Sequence, residues 1–359
     1  MPISSMALKN LSVIRRKLLR WYDQHRRDLP WRRTRDPYAI WIAETMLQQT
    51  QVATVAPYYE RFLRELPTVH ALDRAPLSRI LALWSGLGYY RRAENLKKSA
   101  REIVRKYGGH LPDDYDALIA LPGVGDYTAG ALLSIAFQKS YPAIDGNAHR
   151  VLHRLFTPKN DRKLRQVALL LVPRSRPGYF NQGLMELGAT ICIPKDPRCP
   201  RCPLAAHCPT RAMGRQAKTL RTKKSRPIRD IEWPLAILRR DRKVLLRQRM
   251  RKGLLAGLWE FPGAETTASK SLRQSLATQL AELSLRLQPE RCIGEFRHSI
   301  TDRKIRSPVY LIDFPEGMNL RLPNRRWRWL SPASLEEFPV SSMTFKAAKI
   351  LANHEKNSS

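Results

Sequence analysis

From Leu8 to about Phe156 apolar residues recur at helical spacing, as in Leu8, Leu11, Ile14, Leu18 and Trp21, and again at Leu118, Ile119 and Leu121. This periodicity predicts an all-α first domain. Proline and glycine punctuate it at Leu29-Pro30, Leu66-Pro67, Gly108-Gly109, Leu121-Pro122 and Tyr141-Pro142. Between Thr210 and Asp230 the chain turns polar and basic, with too few apolar residues to bury, as in an interdomain linker. Beyond it come short strand-like runs at Pro234 to Leu238, Lys243 to Arg247 and Ser307 to Phe314, with one helical stretch from Leu272 to Leu285. The expected organisation is a helical domain over 1–210, a linker over 211–229 and an α+β domain over 230–355.

A chain of 359 residues, 43% hydrophobic, can bury two or three cores. No apolar run approaches a membrane span, and Met1 to Arg20 alternates Leu and Ile with Arg and Lys, unlike a signal peptide. A cytoplasmic monomer without a membrane partner is expected. The net charge of +33 changes the picture most, because each cation placed on a phosphate releases condensed counterions, making nucleic acid the leading partner. Solubility alone, or an anionic membrane surface, would account for the same charge.

Cys192, Cys199, Cys202 and Cys208 form C-x6-C-x2-C-x5-C. In a reducing compartment such a set points to a metal centre, and its spacing leaves structural zinc and an iron-sulfur cube both open. Four thiolates leave no open position for substrate, so the centre would staple a loop that builds no core of its own. Lys195, Arg198, Arg201 and Arg211 around it are placed to meet phosphates. Cys292 reads as an ordinary buried thiol.

Leu121-Pro-Gly-Val-Gly125 separates two helical runs. Gly123 and Gly125 permit positive φ, so that bare N–H groups of the turn, Val124 included, can meet one phosphate; a plain interhelical turn explains the glycines equally. Glu44 has Ile40, Trp41 and Leu47 as helical neighbours, which would desolvate its carboxyl, raise its pKa and fit it for general acid work. A helix-edge glutamate reaching solvent is as compatible with the pattern. Asp145, before a helical run from Ala148 to Phe156, reads first as an N-cap.

LPWR (29–32), WIAETMLQQTQV (41–52), WSGLGYY (84–90), LPGVG (121–125), IDGN (144–147) and the four cysteines resemble the MutY family of adenine DNA glycosylases, in the endonuclease III-like helix-hairpin-helix superfamily. GLLAGLWEFPG (253–263) resembles that family's C-terminal Nudix-like domain. The resemblance implies a [4Fe-4S] cluster on the cysteines and a partner duplex carrying adenine mispaired with 8-oxoguanine or guanine. It implies that Glu44 protonates adenine N7 and then handles the water, while Asp145 stabilises the oxocarbenium sugar. Tyr127 stands where bifunctional relatives carry a Schiff-base lysine, so hydrolysis leaving an abasic site is expected, with Tyr127 touching the sugar or the catalytic aspartate. Leu87 and Tyr89 match the wedge that holds a flipped duplex open, and Gln48, Gln49, Thr50 and Arg32 match contacts to base edges and the lesion pair.

The segment after Gly263 lacks the glutamate cluster that a Nudix hydrolase needs, so pyrophosphatase activity is not expected. The family reads 8-oxoguanine with this domain. Aligned on Phe296-Arg-His298, this chain presents Ile300-Thr301-Asp302, where Thr301 keeps a hydroxyl and Asp302 brings an anion that weakens the expected preference for 8-oxoguanine. Trp259, Trp327 and Trp329 read as packing residues. Two other functions fit parts of the pattern. One is an endonuclease III-like pyrimidine glycosylase and lyase, against which Tyr127 and the second domain argue. The other is a non-catalytic iron-sulfur DNA-binding protein, in which Glu44 and Asp145 would be dispensable.

Overall fold

The structure is a computed structural model that describes residues 5–214, 227–250, 253–266, 271–283, 291–314, 320 and 322–358. Most of the expected linker, 215–226, lies outside the described residues. The chain divides into two compact units, one of residues 1–74 and 95–223, the other of residues 75–94 and 224–359. A simple N-terminal and C-terminal division was expected; instead the segment 75–94 joins the C-terminal unit.

In chain order the helices are α1 (Ser5–His25), α2 (Pro37–Leu47), α3 (Val52–Glu65), α4 (Val69–Arg74), α5 (Leu77–Leu83), α6 (Arg91–Tyr107), α7 (Tyr115–Ile119), α8 (Asp126–Ala131), α9 (Gly146–Phe156), α10 (Asp161–Leu171), α11 (Pro177–Thr190) and α12 (Pro209–Ala212). In the first unit the α1 stripe of Leu11, Ile14, Leu18 and Trp21 buries against residues of α9, α10 and α11. α2 is started by Asp36, whose side chain accepts from the Tyr38 amide, and by Pro37 at its first position. Residues 38–46 of α2 are all buried, so this helix has no solvent face and forms a central strut. Between α7 and α8 the turn needs glycine at Gly123, where φ is +81°. α11 approaches the start of α9 so closely that a Cβ on Gly188 would lie 2.6 Å from Cβ of Asn147.

The second unit is built on a sheet of seven strands among the described residues: β1 (Arg229–Glu232), β2 (Leu235–Arg240), β3 (Lys243–Gln248), β4 (Trp259–Glu260), β5 (Arg291–Ile300), β6 (Arg303–Asp313) and β7 (Trp327–Leu330). β6 is central, parallel to β1 and β2 and antiparallel to β5. β2, β3 and the second half of β6 read as apolar runs because both sheet faces are covered. Leu235, Ile237, Val244, Leu246, Val309 and Leu311 pack on one side with α14 (Ser342–Ser358), and the alternate residues Ala236, Leu238, Leu245, Tyr310 and Ile312 pack on the other with α13 (Leu272–Leu280).

Trp259 and Trp327 are buried, and Trp329 lies under the Arg240 guanidinium, 4.7 Å from the ring centre. Cys292 departs from expectation: it is exposed on β5, beside the register shift at Gly294. Ile119 likewise faces outward at the end of α7. No helix among the described residues is long and apolar enough to cross a membrane.

Candidate active site

The apolar surroundings of α2 have the consequence expected for Glu44, which is 5% exposed. Burial pushes its carboxyl up to about 7, Asp145 adds to the rise, and a hydrogen bond from Tyr127 with the charge of Arg32 opposes it. Tyr127 sits in the first turn of α8, and its hydroxyl donates to Oε2 of Glu44. The glycine turn delivers the phenol to Glu44, whereas the expected protein partner was Asp145. Burial raises the Tyr127 pKa well above its ordinary value.

Asp145 is the N-cap of α9. Its Oδ1 accepts from the Ala148 amide at 2.6 Å and its Oδ2 from the Asn147 side chain at 3.0 Å. Burial raises its pKa and these donors oppose the rise. Arg150 in turn holds Asn147, donating to its Oδ1 at 2.7 Å and to the Gly188 carbonyl at 2.7 Å. Asp145 is therefore both a helix cap and a carboxylate fixed in direction by a second layer of donors.

A cavity of about 690 Å³ brings together Arg32, Glu44, Gln48, Gln49, Thr50, Gly125, Tyr127 and Asp145. No lysine lines it among the described residues. Gln48 donates to the Thr128 hydroxyl at 3.3 Å. The cavity also exposes a residue that sequence reasoning missed, Glu186 of α11, whose side chain is fully buried. It accepts from Arg27 through both oxygens, at 2.6 and 2.9 Å, and from Arg32 at 2.7 Å. Burial would raise its pKa, yet the two guanidiniums hold it below the ordinary carboxylate range. Its one sequence signal is a lone charge inside the apolar run Leu184-Met-Glu-Leu-Gly188.

Other expected contact residues lie outside this cavity. Gly123 and Val124 belong to the turn before α8, with Val124 buried. Leu87 and Tyr89 are in the second unit, where Leu87 is buried and Tyr89 is 48% exposed. Leu87 thus faces the core as the structure stands, and Tyr89 is the residue of the pair that projects. Thr301 is at the tip of the β5–β6 hairpin with φ +54°, its hydroxyl engaged locally by the Ile300 carbonyl at 2.7 Å and Asp302 Oδ1 at 3.0 Å. The Asp302 anion is paired with Arg229 at 3.5 Å and Arg303 at 3.7 Å.

Cys192, Cys199, Cys202 and Cys208 line one small cavity of about 30 Å³ with Arg154 and Arg211. Arg154 of α9 pins the loop, donating to the Ile193 carbonyl at 2.8 Å, the Pro194 carbonyl at 3.0 Å and Cys192 Sγ at 3.4 Å. Among the described residues no three His, Cys, Asp or Glu side chains are grouped to hold a single metal ion. Four thiols around one cavity are a donor set that suits zinc or an iron-sulfur cluster alike.

Glu44 and Asp145 face one cavity beside a glycine hairpin, and residues 42–174 match the HhH-GPD superfamily of base excision DNA repair proteins, which places the chain among DNA glycosylases. Residues 235–349 match the NUDIX domain. The chain is 35% identical to adenine DNA glycosylase of Rattus norvegicus over 98% of its own length and 79% of that protein. To adenine DNA glycosylase of Homo sapiens it is 35% identical, over 95% of this chain and 73% of the human one. It belongs to the adenine DNA glycosylase family.

Among solved structures, a thermostable thymine-DNA glycosylase covers 57% of this chain and 98% of its own at 35% identity and a TM-score of 0.55. Endonuclease III in a trapped covalent intermediate with DNA covers 58% of this chain and 98% of its own, at 25% identity and a TM-score of 0.51.

Proposed function

We propose that the protein is a monofunctional glycosylase that hydrolyses the N-glycosidic bond of adenine mispaired with 8-oxoguanine or guanine in duplex DNA, acting as a monomer and leaving an abasic site. The observation that carries this reading is the Tyr127–Glu44 hydrogen bond inside a cavity that Asp145 also lines. A purine leaves as a neutral base once protonated. Glu44, half protonated near neutrality, is the donor to N7 and afterwards the base that activates water. Asp145, oriented by Asn147 and the α9 amides, faces the positive charge that develops on the sugar. With a tyrosine at 127 and no lysine among the described residues that line the cavity, imine formation and strand cleavage are not expected.

Arg32 and Gln48, Gln49 and Thr50 supply donors and acceptors for base edges, and Gly123, Val124 and Gly125 present amides to a phosphate. Thr301 of the second unit meets the base opposite the adenine. The four cysteines hold a [4Fe-4S] cluster, which when bound supplies metal–thiolate bonds that brace the loop.

The test is incubation with duplexes carrying adenine opposite 8-oxoguanine or guanine, or an oxidised pyrimidine, with and without alkali. Breaks at adenine revealed only by alkali are expected. Breaks without alkali would point to a lyase, and no breaks, with Glu44→Gln and Asp145→Asn binding DNA unchanged, to a DNA-binding protein without catalysis.

A further inference from the structure

Tyr89 is an exposed aromatic side chain on a backbone that aromatics rarely adopt. The segment Trp84–Tyr90 passes through positive φ at Gly86 (+103°), Gly88 (+71°) and Tyr89 itself (+49°). The two glycines take such angles freely, whereas Tyr89 needs its surroundings to hold it there.

Arg92, in the first turn of α6 and 8% exposed, supplies that hold. Its Nη2 donates to the Leu87 carbonyl at 3.3 Å and the Gly88 carbonyl at 3.1 Å, and its Nε points to the Tyr89 carbonyl at 3.4 Å. Three successive carbonyls thus face one planar cation. The same guanidinium lies 5.3 Å from the Trp84 ring centre and 5.5 Å from that of Tyr89, so it meets the backbone and the ring of the projecting residue together. Trp84 adds a donor of its own to the Gly88 carbonyl at 3.2 Å.

The other flank of the segment is fastened to the C-terminal part of the same unit. The Ser85 hydroxyl donates to the Val340 carbonyl, and the Tyr90 hydroxyl donates to that carbonyl at 3.3 Å while accepting from the Gly86 amide at 3.2 Å. Val340 is no loose end: it is fully buried in the apolar layer that covers one face of the sheet.

We propose that Arg92 is the positioning residue that presents the Tyr89 ring to the base step vacated by a flipped nucleotide, and that the Val340 carbonyl, through Ser85 and Tyr90, anchors the presenting loop to the sheet domain. This rests on the family resemblance that makes Leu87 and Tyr89 the wedge, of which Tyr89 is the exposed member. Holding the ring in place before DNA arrives removes the cost of ordering it during insertion. The anchor makes the sheet domain, which reads the opposing base, also the mount of the wedge.

The experiment is a double-mutant cycle in the full-length chain, reading single-turnover adenine release from duplex DNA and the fluorescence of a 2-aminopurine beside the vacated step. Tyr89→Ala and Arg92→Lys are each expected to slow release by roughly tenfold or more, as misplacement at a reacting site does. A lysine keeps the charge and loses the fork. The combined variant is expected to be no slower than Tyr89→Ala alone, because Arg92 acts through Tyr89. The pair Ser85→Ala/Tyr90→Phe, which removes only hydroxyls, is expected to slow release and to add nothing to Tyr89→Ala. All of these variants should lose the fluorescence change of insertion. Full additivity with Tyr89→Ala, or parental rates in Arg92→Lys and in the hydroxyl variant, would overturn the positioning role while leaving insertion by Tyr89 intact. A Tyr89→Ala variant as fast as the parent would remove the insertion assignment and the proposal with it.

Discussion

Tyr127 gives its hydroxyl hydrogen to Oε2 of Glu44, and this bond opposes the burial that lifts the carboxyl to about 7. The two effects have opposite signs because a donor favours the carboxylate while a low-polarity cavity favours the acid. Tyr127→Phe removes the first and keeps the second, so the Glu44 pKa should rise further. A general acid works in its protonated form, so activity should fall as pH climbs through about 7 in the parent and at a higher pH in Tyr127→Phe. The pH profile of single-turnover adenine release decides this; a limb that stays in place or moves down contradicts the assignment.

The same shift has a consequence for stability. Burial raises the Glu44 pKa from 4.5 to about 7, so the folded protein holds this proton more tightly than the unfolded chain does. The contribution is fully present below the unfolded value and is lost as pH rises through about 7, a change on the order of 3 kcal/mol. Glu44→Gln cannot ionise. Its thermal midpoint should therefore gain on the parent between about pH 5 and pH 8, and an unchanging gap would show that the carboxyl is not desolvated as described.

Asp145 caps α9 and lines the cavity, and two substitutions separate these duties. Asparagine is as good an N-cap as aspartate, whereas alanine loses about 1 kcal/mol of helix start. Asp145→Asn should abolish adenine release with little change in unfolding midpoint, and Asp145→Ala should lose both. A fully active Asp145→Asn would reduce this residue to a cap.

For the cysteine loop the expected result is analytical. The purified protein should contain about four iron atoms per chain and absorb in the visible region, and Cys199→Ser should lose both. Because Arg154 ties the loop to the last turn of α9, loss of the cluster should also loosen that end of the helix, read as faster amide hydrogen exchange over residues 152–156. Zinc in place of iron would overturn the assignment.

The helical unit was legible where an apolar stripe faces one core, as on α1, while the neighbours of Glu44 one turn away left a buried and a solvent-reaching carboxyl equally open. Glu186 was not legible, because its partners Arg27 and Arg32 lie more than 150 positions upstream and its own neighbours are those of any core helix. Strand-like runs were recognised at β2, β3 and β6, which have covered faces on both sides. β5 escaped because its burial alternates only weakly along a charged sequence, and the same half-open position leaves Cys292 exposed. No local pattern marks residues 75–94 as partners of a sheet that begins near residue 229, since the bonds that join them span about 250 positions.

That separation orders events in the cell. The hydroxyl of Ser85 waits for a carbonyl 255 residues further along the chain. At ordinary rates of synthesis the wait is roughly 10 to 50 s. During it residues 84–90 have left the ribosome while the carbonyl that receives Ser85 does not yet exist. A nascent or truncated chain that stops before Val340 already holds every residue that lines the cavity of Glu44 and Asp145, all of which precede position 190. It lacks the carbonyl to which Ser85 and Tyr90 are fastened.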